Sequence, residues 1–389
     1  EEVLKADVAI CGDTIVGVGE YEGKEEIDCT GKYLVPGFID AHMHIESCMA
    51  APGELAKVLA KAGTTTIIAD PHEIVNVSGT KGMDYFLKCA AKLLVNVFFM
   101  VPSAVPATDV ETNGCGEFLA SDMMKYVDNA RVLGLGETMR FMECCEGEKR
   151  MADKLELFAK KHIDGHAPGI RGKEVQAYRL AGVENDHECS TAEEVLDKLR
   201  AGLHIYVREG SGAKNLETLI KTMLDAGVCL DRCAFCTDDK HVEEIRKEGH
   251  ISTCIRKAIA LGVPVAKAYK MGSYQAAEFY GLKNYGAIGA GYRADIVFLD
   301  DLEQVRPLDV MKDGRILTEE DYAKDYSVPV PDELLHTVHV GEVTKEKIRL
   351  SCDGKTDVIQ MNPHQIVTTH LVEEVPTENG YFKSDGVYN

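Results

Sequence analysis

Six ionisable side chains stand at the carboxyl ends of predicted apolar strands, and their types are those that bind divalent metal ions. His42 and His44 end the first strand. Because side chains at i and i+2 point to the same side of a strand, these two imidazoles can share one ion. The other four side chains are Glu137, His166, His187 and Asp238. Unpaired buried ionisable groups are costly, so ordinary core packing does not account for the whole set.

The six side chains predict a two-metal hydrolytic site. We expect one ion to take His42, His44 and Asp238, and a second ion to take the two histidines that end the fifth and sixth strands. Glu137 and a hydroxide would bridge the two ions. This arrangement would generate a nucleophile from water at neutral pH.

Eight short apolar runs, separated by helical stretches, are the elements that must position these side chains. The runs cover residues 38–44, 64–70, 95–102, 131–137, 162–166, 183–187, 204–209 and 232–238. The helical stretches between them include 52–61, 84–94, 191–201 and 216–226, where apolar residues recur every three or four positions. Repeated βα units over 38–283, roughly the 250 residues typical of the fold, predict an α/β (β/α)8 TIM barrel. Its active site would lie at the carboxyl ends of the strands.

The flanks of the barrel have a different, glycine-punctuated β pattern. Residues 1–37 and 284–344 are predicted to combine into one small β-sandwich domain, and 345–389 are predicted to begin a further, incomplete C-terminal domain. In that last part, β-like runs at 358–359 and 365–372 have no partner visible in the sequence. Unpaired strand edges favour association, so we expect a homo-oligomer.

Composition and charge narrow the function classes. The chain has 43 Lys plus Arg against 64 Asp plus Glu, a net charge of −21, which disfavours a nucleic-acid partner. No apolar run approaches the roughly 18 to 20 residues that a membrane span needs. Thirteen scattered cysteines without framework spacing favour reduced thiols, and a cytoplasmic protein is expected.

Several longer strings resemble a known family. The string PGFIDAHMHIES at 36–47 and the string GYRADIVFLD at 291–300 are similar to the amidohydrolase superfamily. The strings GTTTIIADPHEIVNVSG at 63–79, DGHAPGIRG at 164–172, DHEC at 186–189, REGS at 208–211 and CTDDKH at 236–241 resemble the adenine deaminases. The resemblance implies hydrolysis of adenine at C6 to hypoxanthine and ammonia in purine salvage. It also implies two divalent ions, Mn²⁺ or Fe²⁺, with Zn²⁺ as an alternative.

The chemistry of deamination, together with the resemblance for Asp70 and Glu73, predicts roles for individual residues. Asp238 would take the proton of the attacking hydroxide and pass it to the departing amine. Asp70 and Glu73 would act in proton transfer and substrate contact, because protonation of a ring nitrogen requires an acid separate from the metals. The residues expected to contact the purine are His72, Arg208, Glu209 and Ser211.

Two other interpretations remain open. The chain could be another metal-dependent amidohydrolase that acts on a cyclic amide or a different aminopurine. A dihydroorotase-like site would need a carbamylated lysine where the fourth strand instead ends in Glu137. A non-enzymatic scaffold is the alternative from another class, but loss of ligands would mark it and all six are present. The resemblance also implies a further C-terminal domain beyond this chain.

Overall fold

The computed structural model describes residues 3–388, so Glu1, Glu2 and Asn389 at the outer bounds of the predicted domains lie outside the described residues. The strands are β1 Asp7–Cys11, β2 Thr14–Gly19, β3 Tyr33–Pro36, β4 Phe38–Met43, β5 Thr64–Ala69, β6 Asn96–Val101, β7 Val132–Thr138, β8 His162–Gly165, β9 Asn185–Asp186, β10 His204–Arg208, β11 Cys233–Cys236, β12 Ile296–Leu299, β13 Pro307–Lys312, β14 Arg315–Ile316, β15 Lys355–Gln360, β16 Thr369–Glu374, β17 Thr377–Glu378 and β18 Tyr381–Phe382.

The helices lie mainly between the barrel strands. They are α1 Pro52–Lys61, α2 His72–Ser78, α3 Thr80–Ala90, α4 Ala120–Met123, α5 Phe141–Glu146, α6 Lys149–Leu157, α7 Gly172–Leu180, α8 Ala192–Arg200, α9 Leu216–Asp225, α10 Val242–Glu248, α11 Ile251–Ala260, α12 Val265–Met271, α13 Tyr274–Phe279, α14 Glu319–Ala323 and α15 Asp332–Leu335. Three short 3-10 turns cover Glu46–Cys48, Met124–Tyr126 and Leu230–Arg232.

The eight strands from β4 to β11 form the TIM barrel that the sequence predicts. They run parallel, β4 to β8 as one sheet in chain order and β9 to β11 as a second. A parallel bridge between Met43 and Asp238 joins the first and last strands, and the amide of Glu184 donates to the carbonyl of Ile163 between the two sheets. Each strand falls within or next to a predicted run, so their carboxyl ends meet at one mouth.

The helices bury one face against the strands. In α1, Leu55 and Leu59 are buried one turn apart, as the amphipathic pattern predicts. The predicted helix at 84–94 is wrong in its bounds, because α3 begins directly after Gly79, whose φ of 58° ends α2. Glycine adopts this left-handed conformation at little cost, so the turn falls earlier than the apolar spacing alone indicates.

Both flanks of the barrel contribute to one small sheet. Strand β3, before the barrel, pairs antiparallel with β12, which follows it, in the order β14-β13-β12-β3. Strands β1 and β2 form a separate hairpin. The union of the two flanks accords with the sequence pattern, whereas the complete β-sandwich stays a prediction.

The segment after the barrel differs from expectation in one respect. The β-like runs predicted to lack a partner pair with each other, since β15 and β16 form an antiparallel hairpin from Lys355↔Glu374 to Gln360↔Thr369. No pairing signal is visible in the sequence, because an eight-residue connection, 361–368, without a tight-turn motif separates the strands. Within residues 3–388, no helix has the length and apolar character needed to cross a membrane.

Candidate metal centre

The side chains predicted as ligands converge around the carboxylate of Glu137, which lies near the carboxyl end of β7 and is buried. Its Oε1 lies 2.7 Å from His44 Nε2 and 3.4 Å from His42 Nε2. Its Oε2 lies against His166 Nδ1 and 3.7 Å from His187 Nε2. One carboxylate therefore faces four imidazoles, two on each oxygen.

Asp238 completes the cluster from the end of β11. Its Oδ1 lies 3.3 Å from His44 Nε2, and its Oδ2 accepts a 2.7 Å hydrogen bond from Arg208 Nη1. Its φ of 56° turns the chain sharply after the strand and aims the carboxylate at the mouth. Burial alone would raise the pKa of Asp238, but His44 and Arg208 hold it well below its usual range. Asp238 is therefore an anion in this setting.

Overlapping sets of these residues bring one ligand atom each within 4.8 Å of one another. The sets are His42 with His187 and Asp238, His42 with His44 and Glu137, and Glu137 with His166 and His187. The rings of His42 and His187 stack with centroids 4.0 Å apart. Glu137 belongs to two of the sets, which is the geometry that a bridging carboxylate requires.

Several buried polar atoms of the cluster lack hydrogen-bond partners within residues 3–388, which is consistent with a site for divalent cations. Both ring nitrogens of His42 and of His187 are buried without a hydrogen-bond partner among the described residues, and so is Glu137 Oε1. The 2.7 Å approach of His44 Nε2 to that oxygen is thus a close contact between two ligand atoms, not an aligned hydrogen bond. Buried polar atoms left unpaired are costly, and cations coordinated by them would remove the cost.

His44 has the hydrogen bond typical of a metal ligand. Its Nδ1 lies 2.9 Å from the carbonyl oxygen of Asp70, so Nδ1 donates the proton and Nε2 presents its lone pair to the cluster. Burial lowers the pKa of His44, but Glu137 and Glu73 more than offset this and raise it well above its ordinary value. In the absence of cations, these carboxylates therefore stabilise the protonated form of the His44 imidazole.

His187 and His166 differ in their electrostatics. Burial and the neighbouring His42 depress the pKa of His187 well below its ordinary value. For His166, burial acts in the same direction, but Glu188 and Glu137 raise its pKa to about 9. The neutral imidazole of His187 is ready to bind a metal ion, whereas His166 must lose a proton first, so metal affinity should rise with pH.

The turn after β5 contributes a second group of acids. Asp70 Oδ2 accepts a 2.9 Å hydrogen bond from the amide of Glu137, while burial and the charge of Glu137 raise the pKa of Asp70 to about 8. Glu73 has a 44% exposed side chain with Oε2 3.4 Å from His44 Nδ1. His72 is buried, which lowers its pKa. Asp70 thus supports the strand that carries Glu137, and Glu73 lies at the rim.

Arg208 ends β10 and is buried among carboxylates. Its Nη1 contacts Glu188 Oε1 as well as Asp238 Oδ2. The Oε1 of Glu188 lies 3.3 Å from His187 Nε2 and faces into the cluster. Alternation would place neighbouring strand residues on opposite faces. Because β9 ends at Asp186, residues 187 and 188 are free to face the same side.

The two remaining predicted substrate contacts, Glu209 and Ser211, lie in the loop after β10. Glu209 is buried and its Oε1 accepts a hydrogen bond from Lys257. The hydroxyl of Ser211 donates to Glu244 Oε2 at 2.8 Å and accepts from the amide of His241 at 3.0 Å. Both side chains are engaged by neighbours outside the metal cluster, and their contact with substrate stays a prediction.

A buried network behind the cluster fixes the ends of β4 and β11. Asp40 accepts hydrogen bonds from the amide of His42 and, at 2.6 Å, from the hydroxyl of Thr237. His250 lies between Thr237 Oγ1, at 3.1 Å, and Thr64 Oγ1, at 2.9 Å. The sequence analysis did not identify His250, since it lies on the loop before α11 and not at a strand end.

Glu46 is a further acid near the mouth that the sequence analysis did not identify. It lies in the 3-10 turn after β4, where its Oε1 accepts a 2.9 Å hydrogen bond from the amide of Ile74. Burial and the neighbouring Glu73 raise its pKa to about 8. Its position two residues after His44, within the string HIES, was the available signal.

Comparison with known proteins gives a family match and several similar proteins. Residues 33–317 match the Amidohydrolase family. The chain is 44% identical over 390 residues to an adenine deaminase of Desulfitobacterium hafniense, covering 100% of this chain and 68% of that protein. It is 43% identical to adenine deaminase 2 of Carboxydothermus hydrogenoformans, covering 98% of this chain and 67% of that protein.

Solved structures show the same fold at low sequence identity. A crystal structure of an adenine deaminase superposes with a TM-score of 0.59 at 18% identity, covering 80% of this chain and 95% of that chain. An atrazine chlorohydrolase from Arthrobacter aurescens complexed with zinc gives 0.58 at 15% identity, covering 81% and 91%. With the family match and the relatives above 40% identity, the conclusion is direct: the chain belongs to the amidohydrolase family.

Proposed function

We propose that this protein hydrolyses adenine at C6, giving hypoxanthine and ammonia, within purine salvage. The observation that carries the proposal is the cluster of four imidazoles around Glu137, with Asp238 beside it, in a chain 44% identical over its length to a curated adenine deaminase. Water adds to C6 and the amino group leaves with one additional proton, so the reaction needs a nucleophile, a proton carrier and a donor to the ring.

The cluster would hold two divalent ions, Mn²⁺ or Fe²⁺, with Zn²⁺ as the alternative metal. His42, His44 and Asp238 would bind one ion, His166 and His187 the other, and Glu137 both. The membership of Glu137 in two groups of neighbouring ligand atoms supports its shared role. When bound, the ions supply Lewis acidity, which makes water acidic enough to act as a nucleophile at neutral pH. The low pKa of Asp238 and the unpartnered nitrogens of His42 and His187 support this assignment.

The proton carrier in this proposal is Asp238. It would accept the proton that water loses on attack and deliver it to the amino group as that group departs. Arg208, 2.7 Å from Oδ2, keeps the carboxylate ionised and fixes its orientation. The donor to the ring nitrogen would be Glu73, since it lies at the exposed rim beside His44, with Asp70 supporting from beneath.

Substrate contact is assigned to residues that follow strands β5 and β10 or end them. His72, Glu209 and Ser211 would line the purine, and Arg208 would contribute its Nε, which has no partner among the described residues. A second candidate function is hydrolysis of another aminopurine or of a cyclic amide by the same centre. The 15% identity to an atrazine chlorohydrolase shows a shared fold alone, so it favours no other substrate.

The larger organisation belongs to the same proposal. The barrel domain would cover 38–283, a β-sandwich would combine 1–37 with 284–344, and 345–389 would begin a further domain. The protein would act as a cytoplasmic homo-oligomer. The sheet order β14-β13-β12-β3 supports the joining of the two flanks.

One assay tests the function. Purified protein loaded with Mn²⁺ is incubated with adenine, adenosine, guanine and cytosine, while ammonia release and the ultraviolet change from adenine to hypoxanthine are followed. We expect adenine to react and chelator-treated protein to be inactive. Release of ammonia from guanine or cytosine but not adenine would contradict the proposal. Activity that survives complete metal removal would contradict the role of the centre.

A further inference from the structure

A turn at residues 362–365, about 80 residues after the barrel, contacts the loop between β10 and α9. The carbonyl of His364 accepts a 3.1 Å hydrogen bond from the amide of Lys214. The next side chain, Gln365, accepts a 3.0 Å hydrogen bond through Oε1 from Asn215 Nδ2. Two consecutive residues of the turn thus bind two consecutive residues of the loop between β10 and α9.

Asn215 links this turn to the buried arginine of the site. It is fully buried, its Oδ1 accepts a 3.1 Å hydrogen bond from Arg208 Nη2, and its amide donates to the carbonyl of Arg208 at 3.1 Å. A guanidinium only donates hydrogen bonds, so Asn215 must present its oxygen to Arg208 and its NH₂ group to Gln365. Gln365 must then present its own carbonyl oxygen.

The same arginine holds Asp238. Arg208 Nη1 donates to Asp238 Oδ2 at 2.7 Å and also contacts Glu188. An unbroken series of directed hydrogen bonds therefore runs from Gln365 through Asn215 and Arg208 to the proposed proton carrier. Each member has only one chemically allowed orientation, which makes the series sensitive to the loss of its outermost acceptor.

We propose that Gln365 is a positioning residue for the deamination reaction, acting through Asn215 on the Arg208–Asp238 pair. The proposal extends the proposed function, since its kinetic effect presupposes adenine hydrolysis. Gln365 touches no metal ligand, so its loss should lower turnover and leave metal binding unchanged. The segment after the barrel would then contribute to the active site of this chain.

Three substitutions separate this role from a structural one. Gln365→Leu removes the acceptor, Gln365→Glu keeps an acceptor oxygen at the same position, and Gln360→Leu makes the matched change at an exposed glutamine of β15. One neutral hydrogen bond is worth up to about a tenfold change. We expect kcat for adenine to fall about five- to tenfold in Gln365→Leu and to stay within about twofold in the other two. Equal losses in Gln365→Leu and Gln360→Leu would overturn the proposal, and so would loss of bound metal in Gln365→Leu.

A double-mutant cycle tests the route. If Gln365 acts through Asn215, adding Gln365→Leu to Asn215→Ala should lower kcat no further, whereas multiplicative losses would overturn the route. A second readout needs no activity: amide hydrogen exchange of residues 208–216 in metal-free protein should be roughly three- to tenfold faster in Gln365→Leu than in Gln360→Leu. Unchanged exchange would overturn the positioning role. If the wild type fails to deaminate adenine, the proposed function fails, and exchange still decides the role of Gln365.

Discussion

Replacement of the central carboxylate, Glu137→Gln, should reduce metal binding from two ions per chain to at most one tight ion. The four imidazole nitrogens that face Glu137 lie up to 3.7 Å from its oxygens, so a cation among them lies within about 4 Å of the carboxylate charge. At an effective dielectric constant near 20, each unit of cation charge gains roughly 4 kcal/mol at that distance. Because every ~1.4 kcal/mol is a factor of ten, this is about 10³-fold in affinity for each unit of cation charge, so loss of the carboxylate charge should weaken the binding of a divalent ion at one site or more by about 10³-fold or more.

The assay is metal analysis by mass spectrometry after equilibration with Mn²⁺ and gel filtration, with adenine turnover measured on the same samples. Glu184→Gln is a matched control, because Glu184 pairs with His162 at 2.8 Å at the other end of β8. The control should keep two ions, while Glu137→Gln should keep one or none and lose turnover by roughly 100-fold or more. Two ions bound to Glu137→Gln with wild-type affinity would refute the bridging role.

Three further predictions concern the rim, the substrate and the scaffold. Glu73→Gln should keep both metals in metal analysis yet lower kcat by roughly 100-fold or more, whereas His166→Ala should lose metal; near-normal turnover of Glu73→Gln would move the acid to Asp70 or Glu209. Adenosine should react on the order of 10⁴-fold more slowly than adenine in kcat/KM, because a pocket that pairs the free imidazole edge rejects a ribosylated base. Burial lowers the pKa of Lys154 to about 8, so between pH 8 and 10.5 this side chain is protonated in the unfolded chain but not in the folded one, and its contribution to the free energy of unfolding rises with pH, by roughly 3 kcal/mol. Urea unfolding of metal-free wild type and Lys154→Met at pH 7 and pH 10 measures this contribution, because the difference between the two proteins cancels the titration of the other groups; wild type should gain roughly 3 kcal/mol relative to Lys154→Met, and an unchanged difference would contradict the assignment.

The sequence by itself determined the barrel and the convergence of the six ligands. Apolar runs such as 131–137 and 232–238 end in ionisable residues, and parallel strands in a barrel place their carboxyl ends at one mouth. Local periodicity locates the strands, and the carboxyl ends of parallel barrel strands lie at one face. Glu137 and Asp238 could therefore be expected near each other, although 101 positions separate them. The longer sequence strings also indicated the amidohydrolase family.

Only the tertiary structure decided which partners each side chain takes. The spacing of residues along the sequence does not reveal that Asp70 accepts a hydrogen bond from the amide of Glu137. Nor does it reveal that Ser211 donates a hydrogen bond to Glu244, outside the metal cluster. Hydrogen bonds depend on loop conformations that no periodic pattern encodes. Glu188 could face the cluster only because β9 ends before it.

The contact between Gln365 and Asn215 is the clearest case of this limit. The two residues are 150 positions apart. Asn215 lies outside the predicted elements, and Gln365 opens a predicted β-like run, whereas the observed strand β16 begins only at Thr369. Their pairing depends on how the turn after the barrel packs against the loop after β10, which is a long-range tertiary event. A sequence specifies strands and their ends through short-range periodicity, whereas the hydrogen bonds between loops exist only once the whole chain has folded.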